Sequence, residues 1–153
     1  MDRVPASAEQ PAAAQRTLVL GSGVARAIRE HARQAYPDEC CGALIGSRGI
    51  ASAVLPLPNV TKDGPRRRFL VQASDYRAAE ARAQELRAEL VGFYHSHPDH
   101  PARPSRYDLE HAWPVFAYVI VSVRQGEPME MTCWRLKDDR SAFEQERLDG
   151  ADD

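Results

Sequence analysis

His95-Ser96-His97-Pro98, followed by Ser105 and Asp108, holds the side chains of this chain best suited to chemistry. Two histidines one residue apart point to the same side of an extended segment. A carboxylate a little further on can close a three-ligand metal site. Three protein ligands leave the fourth corner of a zinc tetrahedron open to water, the mark of catalytic rather than structural sites. Upstream, Glu39 in Pro37-Asp38-Glu39-Cys40-Cys41-Gly42 offers a base for that water. The pattern predicts a hydrolytic zinc centre.

Each residue also has a plainer reading. His-x-His alone fits a pair of surface histidines at a loop start equally well. Pro98 adds direction, because it ends the strand just after the second histidine. Ser105-x-x-Asp108 resembles a helix capping box, with Asp in the place of the usual Glu. The cap and the ligand readings are compatible, since a helix started at Ser105 would hold Asp108 in its first turn. A carboxylate can move a proton from water to a leaving amine, but nothing in the bare spacing singles out Glu39. A solvent-facing loop position suits His100 better than a place as an extra ligand. His111, three residues after Asp108, shares its helix face and reads as exposed or packed. His31 carries no signal.

The elements that must position these residues follow from periodicity and breakers. With 153 residues the chain suits one domain with a real core. Thr17–Leu20 reads as a strand, Ser22 as a helix cap, and Val24–Tyr36 as a helix with Val24, Ile28, Ala32 and Ala35 on one face. Pro37 ends it. Glu39–Ile45 and Ile50–Leu57 form a hairpin over the turn at 46–49. Pro56–Pro65 is a loop and Arg68–Gln72 a short strand. Ser74 caps a helix over Asp75–Leu90. Val91–Tyr94 is a strand leading into the histidines, Ser105–Ala112 a short helix, Phe116–Val123 a central strand, and Met129–Leu136 its return past Gln125-Gly126. Strands and helices are mixed, so an α/β or α+β layered fold is expected.

A net charge of -2 gives no basic footprint for nucleic acid. No apolar run approaches the roughly 20 residues of a membrane span. Three cysteines cannot all pair, and the neighbours Cys40 and Cys41 would make a strained bridge. All three read as reduced, which points to the cytoplasm. A cysteine nucleophile would mean a different enzyme class, but Cys40, Cys41 and Cys133 read as core residues. Residues 1–16 lack the layout of a secretion signal and read as a disordered leader. Residues 137–153 read as a charged tail.

His95-Ser96-His97-Pro98, with seven residues between His97 and Ser105, and then Asp108, resembles the JAMM (MPN-plus) metalloprotease motif without a departure. Glu39-Cys40-Cys41-Gly42-x-Leu44-x-Gly46 is similar to the glutamate strand of the family's compact bacterial and archaeal members. The likeness spans about Leu18 to Leu136. It implies a single MPN-type domain, with a central mixed β-sheet flanked by helices. It further implies that His95, His97 and Asp108 bind one zinc and that Glu39 is the general acid/base. By the same resemblance Ser105 donates to the oxyanion of the tetrahedral intermediate.

The resemblance also carries an expectation about substrate. Compact members act on ubiquitin-like sulfur-carrier proteins and cut after a C-terminal Gly-Gly. The stretch from Asp108 to Phe116 is too short for a large ubiquitin-gripping insertion. The Pro56–Arg68 loop, with Arg66 to Arg68, is the expected clamp. The alternatives are a non-catalytic MPN module that binds partners, whose kind has typically lost metal ligands, and a general zinc peptidase with no carrier.

Overall fold

A computed structural model describes residues 16–59 and 71–152. The proposed leader up to residue 15 and most of the proposed clamp lie outside the described residues. Within them the chain forms seven strands and three helices. In order these are β1 (Thr17–Leu20), α1 (Val24–Ala35), β2 (Cys41–Ser47), β3 (Ile50–Leu57), α2 (Ala73–Glu85), β4 (Glu89–Pro98), α3 (Arg106–His111), β5 (Ala117–Arg124), β6 (Glu127–Leu136) and β7 (Phe143–Asp149).

The strands run in the order β1-β3-β2-β4-β5-β6-β7, and β1 pairs with β7 to close the sheet. The sheet is mixed, as expected: β4 and β5 are parallel, while β2 pairs antiparallel with both β3 and β4. α1 turns Val24, Ala25, Ile28 and Ala32 into one core with Leu44, Tyr94, Val119 and Val121. A second core on the other side of the sheet joins Cys41, Phe93 and Tyr118 to Ala79 of α2 and to Phe116. Helices therefore cover both sheet faces, and Gly42–Gly46 and Phe93–Pro98 are buried throughout. Such strands lose the alternation that one wet face would impose.

Several expectations change. The proposed tail contains β7, which pairs antiparallel with β6 and parallel with β1. Its charge conceals this: Glu146 is buried and ion-paired with Arg135 on β6, while Leu148 packs on the core. α2 begins at Ala73, not Asp75, because Gln72 is its cap in a reciprocal box with Asp75. It ends at Glu85, not Leu90. The Arg87 and Ala88 amides donate back to the Gln84 and Ala83 carbonyls, and Arg87 is left-handed at φ 55°. That is a Schellman ending with arginine where glycine is usual. α1 starts after Gly23, whose φ is 80°, and not from a Ser22 side-chain cap. Of the strand expected over Arg68–Gln72, Val71 and Gln72 are not in a strand and the rest lies outside the described residues. Finally, β4 extends through the histidines as far as Pro98.

Candidate metal centre

β4 lies between β2 and β5, with Cys41 opposite His95 on one side and Ile120 on the other. Continuing the antiparallel β2–β4 register by two residues sets Glu39 opposite His97. Beyond the last paired residues, the Ser96 amide donates to the Cys40 carbonyl at 3.1 Å and the Cys40 amide donates to Ser96 Oγ at 2.8 Å. Asn59, just past β3, donates its side-chain amide to the Glu39 carbonyl at 2.8 Å. Glu39 thus sits in a tied-down segment, and only 7% of it is exposed.

His95 and His97 bring their Nε2 atoms to 3.1 Å of each other. Asp108 Oδ2 completes a triangle, 3.3 Å from His95 Nε2 and 3.2 Å from His97 Nε2. Among the described residues this is the group of His, Cys, Asp and Glu side chains close enough to hold a metal ion. Ligands about 2.0–2.1 Å from zinc in a regular tetrahedron stand about 3.3–3.4 Å apart. The observed triangle is one face of such a tetrahedron to within a few tenths of an ångström.

The donor chemistry fits as well. His97 Nδ1 lies 2.9 Å from the Pro101 carbonyl, which only accepts. That nitrogen therefore carries a proton, and Nε2 is the atom His97 has left to offer a metal in the triangle. Burial drives the His95 pKa down against the pull of Asp108, which favours its neutral form. Burial raises the Asp108 pKa, but when acid protonates the histidines of the metal-free site, the charge and hydrogen bonds of His95 and His97 overcome it and hold the carboxyl well below the usual range. Lone pairs and a carboxylate converging this closely are complementary to a cation.

α3 delivers Asp108 by the capping box. Asp108 N donates to Ser105 Oγ at 3.0 Å, and Ser105 N donates to Asp108 Oδ2 at 2.8 Å. The oxygen that caps the helix is the one that faces the histidines. Because Ser105 Oγ accepts the cap bond, its own proton remains available to a further acceptor. The loop between β4 and α3 is pinned by two hydroxyls. Ser122 donates to the His100 carbonyl at 2.7 Å and Thr132 to the Ala102 carbonyl at 2.6 Å.

The remaining candidates fall outside the triangle. His100 is exposed, and His111 stacks on Tyr107 with ring centres 4.1 Å apart. The three cysteines are free and buried. Burial pushes the Cys40 thiol up to about 11 and Cys41 and Cys133 to about 12, the opposite of what a thiolate nucleophile needs. Sequence reading overlooked Ser96, Asn59 and Pro101, which bond to Cys40, Glu39 and His97 respectively. It also overlooked His31, whose Nδ1 lies 2.6 Å from the buried Tyr94 hydroxyl behind the metal-facing side of β4. Ser96 had a signal, since the residue between two same-side histidines must face the other way.

Residues 21–137 match the family model for prokaryotic homologs of the JAB domain. The chain is 29% identical over 122 residues to the CysO-cysteine peptidase of Mycobacterium tuberculosis, covering 79% of this chain and 84% of that one. It is 32% identical over 112 residues to the desampylase of Haloferax volcanii, covering 69% of this chain and 80% of that one. A solution structure of a Salinibacter ruber protein aligns with 45% identity and a TM-score of 0.69, covering 86% of this chain and 90% of that one.

Proposed function

The chain belongs to the prokaryotic homologs of the JAB domain, the compact branch of the JAMM peptidases, and is a hydrolytic peptidase; from that premise we propose a zinc-dependent isopeptidase or peptidase that cuts after the C-terminal Gly-Gly of a ubiquitin-like sulfur-carrier protein. The observation that carries this reading is the triangle of His95 Nε2, His97 Nε2 and Asp108 Oδ2, with edges of 3.1 to 3.3 Å, on the strand paired with the Glu39 segment. The relatives named CysO-cysteine peptidase and desampylase support the choice of substrate.

His95, His97 and Asp108 would hold the zinc. When bound, zinc supplies Lewis acidity, lowering the pKa of water from 15.7 to about 7 in favourable sites and polarising the scissile carbonyl. The Glu39 carboxylate takes the proton of the attacking water and passes it to the leaving amine. Its backbone is held by Asn59, and its neighbour Cys40 by Ser96, so the side chain starts from a fixed stretch of backbone. The Ser105 hydroxyl donates to the oxyanion, a contact worth roughly 2.7–4 kcal/mol in hydrolases.

The test is a comparison of wild type with Glu39→Gln on a carrier bearing a peptide after Gly-Gly. The variant is expected to retain one zinc and to lose at least about a hundredfold in kcat, the scale of general acid–base catalysis. Cleavage that survives both chelation and Glu39→Gln would remove the reading. Equal cleavage of unrelated unstructured peptides would move it to a general peptidase.

A further inference from the structure

We propose that the cavity beside His95 and Asp108 is a specificity pocket for an apolar side chain on the leaving-group residue of the substrate. This inference rests on the carrier reading above. The cavity has a volume of about 240 Å³ and is walled by Tyr76, Phe93, Trp113, Tyr118, Ile120 and Phe143. The rings brace one another: Tyr76 and Trp113 lie 5.3 Å apart, Phe93 and Tyr118 6.1 Å, and Tyr118 and Phe143 6.0 Å. The Tyr118 hydroxyl is engaged by the Trp113 amide at 2.8 Å, which fixes the rim to the floor. A cavity of roughly 150 Å³ is enough to admit benzene, so this one accepts an aromatic or leucine-sized side chain.

Chain polarity decides which substrate residue fills it. The cavity begins at two of the three ligand side chains, so its occupant adjoins the scissile bond. On the acyl side of that bond stand two glycines, which have no side chain to offer. Where the carrier tail is extended by an ordinary peptide bond, the first residue of the leaving group is the neighbour that has one. Trp113 is half exposed at the mouth and leaves the way open for the rest of that peptide.

The experiment uses zinc-loaded full chain and two probes. The first is a set of ubiquitin-like carriers ending in Gly-Gly followed by Phe-Ser, Ala-Ser or Cys-Ser. Phe over Ala is expected to reach at least about tenfold in kcat/KM, the scale on which hydrophobic pockets discriminate. Trp113→Ala brings that ratio toward one, and Trp113→Phe restores it. The second probe is the free leaving group, Phe-Ser-amide against Ala-Ser-amide, followed by tryptophan fluorescence with Trp113→Phe as the blank. At least about tenfold tighter binding of the Phe peptide is expected. Equal cleavage of Phe and Ala conjugates, or equal binding of the two peptides, overturns the pocket and leaves the carrier reading standing. Selective binding without cleavage of any conjugate removes the carrier reading and leaves the pocket.

Discussion

Replacing Ser96 by alanine removes a hydroxyl that ties the glutamate segment to the histidine strand. Ser96 is fully buried and Cys40 is 2% exposed, so water cannot replace the 2.8 Å bond from the Cys40 amide to Ser96 Oγ. The variant leaves that N–H buried without its acceptor, at a cost of about 1–3 kcal/mol. For a domain of this size the loss lowers Tm by roughly 2–12 °C. The reciprocal bond from the Ser96 amide to the Cys40 carbonyl survives, so the ladder loosens at its end rather than opening. Glu39 is the next residue along. A displacement of about 1 Å in a catalytic group can cost 10²-fold, so kcat should fall by up to that factor while zinc content holds. Urea unfolding in chelator gives the stability change free of metal linkage. Metal analysis and turnover of the zinc-loaded variant give the rest. Stability within about 0.5 kcal/mol of wild type, the size of an ordinary surface substitution, would refute the energetic reasoning. Lost stability with unchanged kcat would show that the hydroxyl does not position Glu39.

Asp108→Asn separates the two duties of that carboxylate: the amide oxygen still accepts the Ser105 N–H and keeps the cap, while the negative charge facing the histidines is lost and zinc with it. Asp108→Ala loses both, with a further cost of about 0.5–2 kcal/mol for the cap; equal metal-free stability of the two variants would argue against the capping role. Acid should destabilise the chelated protein. The folded pKa values of His95 and Asp108 both lie below their unfolded values, so each contribution is present above the unfolded pKa and fades as pH falls, from about 6.5 for His95 and about 4 for Asp108. A urea midpoint that stays flat from pH 7 to pH 3 would contradict this. The raised thiols work in the other direction. Stability should fall as pH rises from about 9 toward 11 or 12, and no cysteine should react with a thiol reagent until the chain unfolds. Rapid labelling of the native protein would disprove it.

The parts of the site legible in sequence are those fixed by local geometry. Strand alternation puts His95 and His97 together, and the Ser105–Asp108 box is a four-residue motif. Glu39 lies far upstream, and its approach depends on the register of β2 against β4. That register was hidden because both strands are buried on both faces, so no hydrophobic alternation marks it. Glycines carry the missing information. A Cβ at Gly42 would stand 2.3 Å from the Tyr94 ring, its partner across the ladder. A Cβ at Gly92 would meet the Ala117 carbonyl at 2.1 Å. Both glycines sit where the observed pairing leaves no room for a Cβ, and the β2–β4 pairing, continued by two residues, sets Glu39 opposite His97. The end of α2 was illegible for a different reason: a left-handed arginine carries no sequence signal of the kind a glycine does.

The same contrast shows where the chain can change. Between His97 and Asp108 every joint is tied: the Pro101 carbonyl to His97, the His100 and Ala102 carbonyls to Ser122 and Thr132, and Ser105 to Asp108. An inserted residue there must break at least one of these bonds or rotate the carboxylate away from the histidines. Between β2 and β4 the demand is weaker. The ladder sets where Glu39 ends up, whatever path the chain takes through the hairpin and α2 on the way. The spacing of the histidines, Ser105 and Asp108 is therefore a condition of the metal triangle itself, whereas the distance in sequence from Glu39 to His95 is free to vary as long as Gly42 and Tyr94 still meet.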